Sequence, residues 1–282
     1  RLLGGSSIRS TNTTGTDLNH DGKIDVTGVG GNITVQGTTP GTNSAADLVE
    51  LSGGSGITSG AQSGSGGGGR ISIRATSLDL KEASGITSST SSFGTDLDGD
   101  GVLDDLTSGG GDILVAVQNL NILRDGSTIT SSTVLGDTLA VAGGTVTVEG
   151  LDAGSKAGSV LLSGQSSGIF SFSNGGVPGN LTVNAETLTI TNDAVINTGS
   201  GISGPAGKVE ITADSVVISA GGQIFSRSAA QKAGNVTITA DELTLDKGSI
   251  VTSTTSESLG RGGNVELNVI GTVSLTNGAS IN

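Results

Sequence analysis

A Gly-x-aliphatic-x-aliphatic unit that returns eight times constrains this chain more than any other feature. It reads Gly31-Asn-Ile-Thr-Val, Gly69-Arg-Ile-Ser-Ile, Gly111-Asp-Ile-Leu-Val, Gly144-Thr-Val-Thr-Val, Gly179-Asn-Leu-Thr-Val, Gly207-Lys-Val-Glu-Ile, Gly234-Asn-Val-Thr-Ile and Gly263-Asn-Val-Glu-Leu. Successive anchor glycines lie 38, 42, 33, 35, 28, 27 and 29 residues apart. Self-similarity at such a period marks a stacked repeat, in which one unit cannot bury its apolar face alone. The short C-terminal units are the basic repeat, and the longer ones carry insertions.

Each unit holds three short stretches of period-two alternation, the signature of strands. In the unit that opens at Gly234 these are Val236–Ile238, Leu243–Leu245 and Ile250–Thr254, separated by turn-forming Asp246-Lys-Gly and followed by Ser-Leu-Gly-Arg-Gly. Three strands per turn with a glycine corner predict an all-β fold, a single-stranded parallel β-helix (solenoid) of about eight coils with loop insertions. Coils rising about 4.8 Å each would stack to about 40 Å. The predicted inward ladders are Val183, Ile211, Ile238 and Leu267; Ile190, Ile218, Leu245 and Leu275; and Ile86, Ile129, Ile196, Ile224, Ile250 and Ile281. Asn32, Asn180, Asn235 and Asn264 are expected to form a stacked amide ladder at one corner. The rivals are a disordered Gly/Ser tract, which lacks apolar periodicity, and an antiparallel sandwich, which also uses short strands and Gly turns.

Composition agrees with thin, repeated core layers. Four Phe and no Trp or Tyr leave Val, Ile, Leu and Ala to build the interior. With no Cys there is no thiolate metal site, thiol catalysis or redox role. With no Met, the chain reads as an excerpt of a longer polypeptide whose signal sequence lies elsewhere. Organisation is one continuous β-helix over 1–282: coils with two acidic loop inserts over 1–142, irregular coils over 143–178, and regular short coils over 179–282. A net charge of −13 is a poor match for nucleic acid or an anionic membrane. Ile113–Val117 is among the longest apolar runs, so no membrane span is expected.

The units over 234–254 and 263–281 resemble the repeats of filamentous-haemagglutinin-type exoproteins. The resemblance is strongest over 179–282, is also present over 67–135, and is loosest elsewhere. It implies a right-handed β-helical shaft, export through an outer-membrane partner of the two-partner secretion type, a place outside the cell on a bacterial surface, and a role in adhesion or in carrying a distant effector domain. The ligand implied is one on a cell surface or in the matrix. No catalytic residue carries over, because such a shaft has none.

Two inserts stand outside the repeat. Each matches D-x-[DN]-x-[DN]-G-x-[ILV]-[DE], the opening of an EF-hand-type calcium loop. Oxygen ligands at positions 1, 3 and 5, a main-chain carbonyl at 7 and a carboxylate at 9 converge on a hard cation, and glycine at 6 allows the sharp turn. The first set is Asp17, Asn19, Asp21, the Lys23 carbonyl and Asp25; the second is Asp96, Asp98, Asp100, the Val102 carbonyl and Asp104. Position 12, where an EF-hand has a bidentate Glu, is Gly28 in one and Thr107 in the other; Asp105 or a neighbouring coil is the candidate to complete the second site. Such Ca2+ sites are expected to be weak, about 10⁻⁴–10⁻³ M, as in extracellular modules. The alternative is two solvated acidic turns. Asp17 follows Ile8 by nine residues and Asp96 follows Ile86 by ten, so both loops should leave one corner two coils apart.

Enzyme chemistry finds little support. His20, the single histidine, falls at a variable loop position without an orienting partner. No G-x-S-x-G elbow accompanies a His, and Gly66-Gly-Gly-Gly-Arg lacks the ending of a phosphate loop. Phe93, Phe170, Phe172 and Phe225 look too scattered to stack sugars, as a β-helical polysaccharide lyase or hydrolase would require. The reading is therefore a calcium-braced adhesive shaft. Its alternatives are a subunit of an extracellular filament formed by end-to-end self-association and a polysaccharide-cleaving enzyme.

Overall fold

The structure, a computed structural model, describes residues 1–13, 15–17, 20, 22, 26–39, 44–61, 66–90, 109–133, 142–174, 176–201, 204–254 and 260–282. Among these, the protein is all-β: a twelve-stranded and a nine-stranded sheet, both wholly parallel, and a two-stranded antiparallel ribbon.

The larger sheet is built on 11-residue strands, Ile71–Lys81, Ile113–Leu123, Leu181–Thr191, Val209–Ser219 and Val236–Asp246. Each serves two walls of the solenoid. In Val236–Asp246, Val236, Ile238 and Ala240 point inward, Asp241 and Glu242 are both exposed, and Leu243 and Leu245 point inward again. Two outward residues in succession shift the period-two phase and turn the strand onto the next wall. In these five repeats the first two expected strands are thus one bent strand, whereas Ile33–Val35 and Ala46–Ser52, Val146–Glu149 and Ala157–Ser163, and Val265–Val269 and Val273–Thr276 stay separate.

The smaller sheet stacks six-residue strands, among them Gly56–Ala61, Gly85–Thr90, Thr128–Thr133, Gly168–Ser173, Val195–Ser200, Gln223–Ser228 and Ser249–Thr254. Pairing is in register throughout. Val183 lies beside Ile211, Ile211 beside Ile238 and Ile238 beside Leu267; Ile190, Ile218, Leu245 and Leu275 form the second ladder. The third runs Ile86, Ile129, Ile169, Ile196, Ile224, Ile250 and Ile281, so Ile169 joins the residues expected there. The ladder residues form a single apolar core, with Leu267, Leu275 and Ile281 of the last strands only partly covered or exposed.

The turn from long strand to short strand is made by residues in the left-handed region. Gly53 and Gly54 hold φ of 67° and 74°, and Glu82 and Ala83 repeat this turn in the next coil at 58° each. For residues with a Cβ such a conformation costs about 1–2 kcal/mol apiece, so the stacking on either side must hold the turn. A buried serine follows it in Ser55, Ser84, Ser127 and Ser167. The Ser55 N–H donates to Ser84 Oγ (3.1 Å) and the Ser127 N–H to Ser167 Oγ (3.2 Å), linking successive turns.

Candidate functional site

The glycine corner organises everything that departs from the repeat. In four of the short strands an inward hydroxyl at the fourth position ties two anchor glycines together. Ser59 Oγ donates to the Gly31 carbonyl (2.8 Å) and accepts the Gly69 N–H (3.0 Å). Ser88 does the same between Gly69 and Gly111, Ser131 between Gly111 and Gly144, and Ser226 between Gly207 and Gly234. These hydroxyls are buried, so the bonds satisfy groups that would otherwise be costly to desolvate. The anchors are glycine because successive corners touch: a methyl group on Gly111 would meet the Gly69 carbonyl, on Gly144 the Gly111 carbonyl, and on Gly234 the Gly207 carbonyl.

The recurrent Asn has a different role from the expected amide stack. Asn32 Oδ1 accepts the Arg70 N–H (2.9 Å), Asn180 Oδ1 the Lys208 N–H (3.0 Å) and Asn235 Oδ1 the Asn264 N–H (3.0 Å). Asp112 takes the same place, accepting the Thr145 N–H at 2.8 Å. A side-chain oxygen on a coil-to-coil backbone bond serves here, which is why Asp substitutes for Asn.

Both acidic inserts leave from this corner. The strands leading into them, Ser7–Asn12 and Gly85–Thr90, lie in the smaller sheet with Gly56–Ala61 between them. On the return side, the Gly30 N–H donates to the Gly67 carbonyl (2.8 Å) and the Gly68 N–H to the Gly109 carbonyl (2.9 Å), closing the corner behind each insert. The first insert is carried on an antiparallel stem, Gly15–Thr16 against Val26–Thr27. Asp17 stands at its top. One carboxylate oxygen accepts the His20 N–H (2.6 Å) and the other the Gly22 N–H (2.9 Å), with His20 and Gly22 both at positive φ. The His20 and Gly22 N–H groups thus both face the carboxylate of position 1. Asn19, Asp21, Lys23 and Asp25 lie outside the described residues, as do Asp96, Asp98, Asp100, Val102, Asp104 and Asp105 of the second loop. Among the described residues no group of three or more His, Asp or Glu side chains is gathered closely enough to hold a metal.

Elsewhere some of the charged groups are paired on the outer surface. Lys81 Nζ lies 3.0 Å from Asp79 and 3.4 Å from Glu50, and Glu50 also meets Arg1 at 3.0 Å. The hydrogen bond that Lys81 donates to Asp79 raises its pKa above the usual range, with Glu50 adding to it against partial burial. Partly exposed pairs of this kind add little to stability.

The outward face of the smaller sheet holds residues whose grouping the sequence analysis missed. Phe170 and Phe172 stand on Gly168–Ser173, and Phe225 stands two strands away on Gln223–Ser228. The signal was available: aligned on inward Ile169 and Ile224, Phe170 and Phe225 occupy the same position. The N-terminal part of this face carries hydroxyls instead, with Thr58, Thr87 and Thr130 side by side.

Fold and corner together define an all-β parallel solenoid with an antiparallel stem, Gly15–Thr16 against Val26–Thr27, beside its glycine seam. No family model, curated protein or solved structure matches the chain. Among the described residues no helix is long and apolar enough to cross a membrane.

Proposed function

We propose that the chain is shaft from a secreted bacterial surface exoprotein of the filamentous-haemagglutinin type: a right-handed parallel β-helix of about eight coils, braced by calcium, that mediates attachment or presents a distal domain. The observation that carries the reading is in-register parallel stacking from Leu2 to Ile281, with the strands that lead into both acidic inserts ending at one seam. Such a body is rigid along its axis, and its insertions can vary without disturbing the ladders. Export through an outer-membrane partner and a cell-surface or matrix ligand belong to the same reading.

Calcium suits the inserts chemically. Their donors are all oxygens, the preference of a hard cation, and the Asp17 carboxylate already draws positions 4 and 6 around itself. The first loop's remaining donors would be Asn19, Asp21, the Lys23 carbonyl and Asp25; the second loop would use Asp96, Asp98, Asp100, the Val102 carbonyl, Asp104 and Asp105. Bound metal would neutralise the clustered carboxylates and hold each insert against the shaft.

Attachment is the test. Immobilised on beads, the chain should bind cells or matrix-coated surfaces saturably in millimolar calcium. A chain that binds no such surface but cleaves polysaccharide would overturn the proposal in favour of an enzyme. A second reading is a subunit of an extracellular filament assembled end to end. Concentration-dependent growth into fibres, followed by light scattering, would support it.

A further inference from the structure

The outward face of the smaller sheet carries a trough, and the geometry points to it as a binding site for a pyranose chain. Three of the chain's four Phe are gathered there. Phe170 and Phe172 form one wall, Phe225 and Arg227 the other, and the strand between them, Val195–Ser200, is the floor. Phe170 is in register with Asn197 and Asn197 with Phe225; Phe172 is in register with Gly199 and Gly199 with Arg227. Two depressions open over this floor. One, of about 530 Å³, is lined by Phe170, Val195 and Phe225; the other, of about 240 Å³, by Phe172, Gly199, Phe225 and Arg227. They share Phe225, so together they run the length of the floor strand.

The dimensions select a flat ring. The flanking strands are separated by about 9–10 Å, and the Phe172 ring leans over the floor toward Gly199 and Gly201, offering a face on which a ring can stack. Glycine keeps the floor low: a Cβ at Gly199 would stand 3.5 Å from the Phe172 ring. The polar groups select a hydroxylated ring. Asn197, at the centre of the floor, has a covered carboxamide oxygen without a hydrogen-bond partner, so no protein bond to that oxygen opposes its turning toward a ligand hydroxyl. Gln165, Asp193 and Gln223 rim the wider depression, and the Arg227 guanidinium lies 4.9 Å from the Phe225 ring centroid at the other. A pyranose offers apolar C–H faces to the rings and hydroxyl donors and acceptors to the floor and rim.

Other polymers fit less well. A peptide adding itself as a strand needs unpaired backbone at a sheet edge, whereas the floor strand is bonded on both sides. Nucleic acid is disfavoured by a net charge of −13. The inference deepens the adhesive reading and rests on it, since it names the ligand class by which a shaft would attach.

The test is an array of immobilised neutral β-linked hexose oligomers and uronate-containing oligomers, followed by calorimetry with whichever is retained. The wild-type chain should retain at least one. Phe225→Leu, which keeps apolar bulk and removes the π face, and Asn197→Ala should each weaken it about tenfold with melting unchanged. Thr87→Ala, on the same face but outside the trough, should leave it unaltered. Retention of no oligomer, or binding indifferent to both trough substitutions, overturns the proposal. Cell attachment that survives both also overturns the trough yet leaves the adhesive shaft standing; oligomer binding through the trough without cell attachment does the reverse.

Discussion

Ile238→Asp should lower the melting temperature by roughly 8–16 °C, the equivalent of about 4 kcal/mol or more. Ile238 is fully buried, and its in-register neighbours are Ile211 and Leu267. A carboxylate there finds apolar side chains above, below and across the core. It must either ionise without a partner or take up a proton, and it also gives up the packing of an isoleucine. Because stability in a stacked repeat is a sum of local and neighbour terms, the damage should concentrate in the coils around residue 238. Thr239→Asp is the control: Thr239 is exposed, its neighbours in register are Thr212 and Asn268, and the change should cost no more than about 0.5 kcal/mol. Equal melting of the two variants would contradict the inward ladder.

The second large effect is expected at the seam. Gly207→Val should cost about 3 kcal/mol, because the new Cβ would run into the Gly179 carbonyl and lie 2.9 Å from the Pro178 carbonyl. Both are backbone atoms and cannot swing aside. It would also crowd Thr198 Oγ1, which holds the corner by donating to the Gly179 carbonyl (3.2 Å). Gly85→Ala offers the contrast. A Cβ there would make ordinary contacts with Thr128 at 3.4 and 3.5 Å, and the position in register is occupied by Thr128 itself. Denaturant melts of the two variants should differ by well over 1 kcal/mol; similar midpoints would show that the coils do not touch at the anchor glycines.

These two sites mark how far the sequence could be read. The ladder of Ile211, Ile238 and Leu267 was legible because an inward residue at every second position, returning once per repeat, has one physical explanation. The anchor glycines were legible as a period, but their cause was not: only coordinates place the Gly69 carbonyl where a Gly111 methyl would fall. Ser59, Ser88, Ser131 and Ser226 passed unnoticed since serine is common throughout the chain, and nothing local separates a hydroxyl that spans two coils from one facing water. The continuous strand Val236–Asp246 was read as two, because Asp241 and Glu242 look like a break when they are a bend. Phe170 and Phe225 seemed unrelated for a different reason. They are far apart along the chain, and only alignment of the inward isoleucines places them on one face with Asn197 between. For the acidic inserts the spacing remains the main argument, joined by the His20 and Gly22 N–H groups that face the Asp17 carboxylate.

Calorimetric titration of calcium into the chelator-stripped protein, with melting followed in parallel, tests the calcium-braced shaft most directly. Two sites of roughly 10⁻⁴–10⁻³ M affinity and a melting temperature that rises with the ion are the expected result, with Asp98→Ala removing one site and leaving the calcium-free melt unchanged. No heat of binding and identical melting with and without calcium would contradict it, reducing Asp17–Asp25 and Asp96–Asp105 to solvated acidic turns on a bare solenoid.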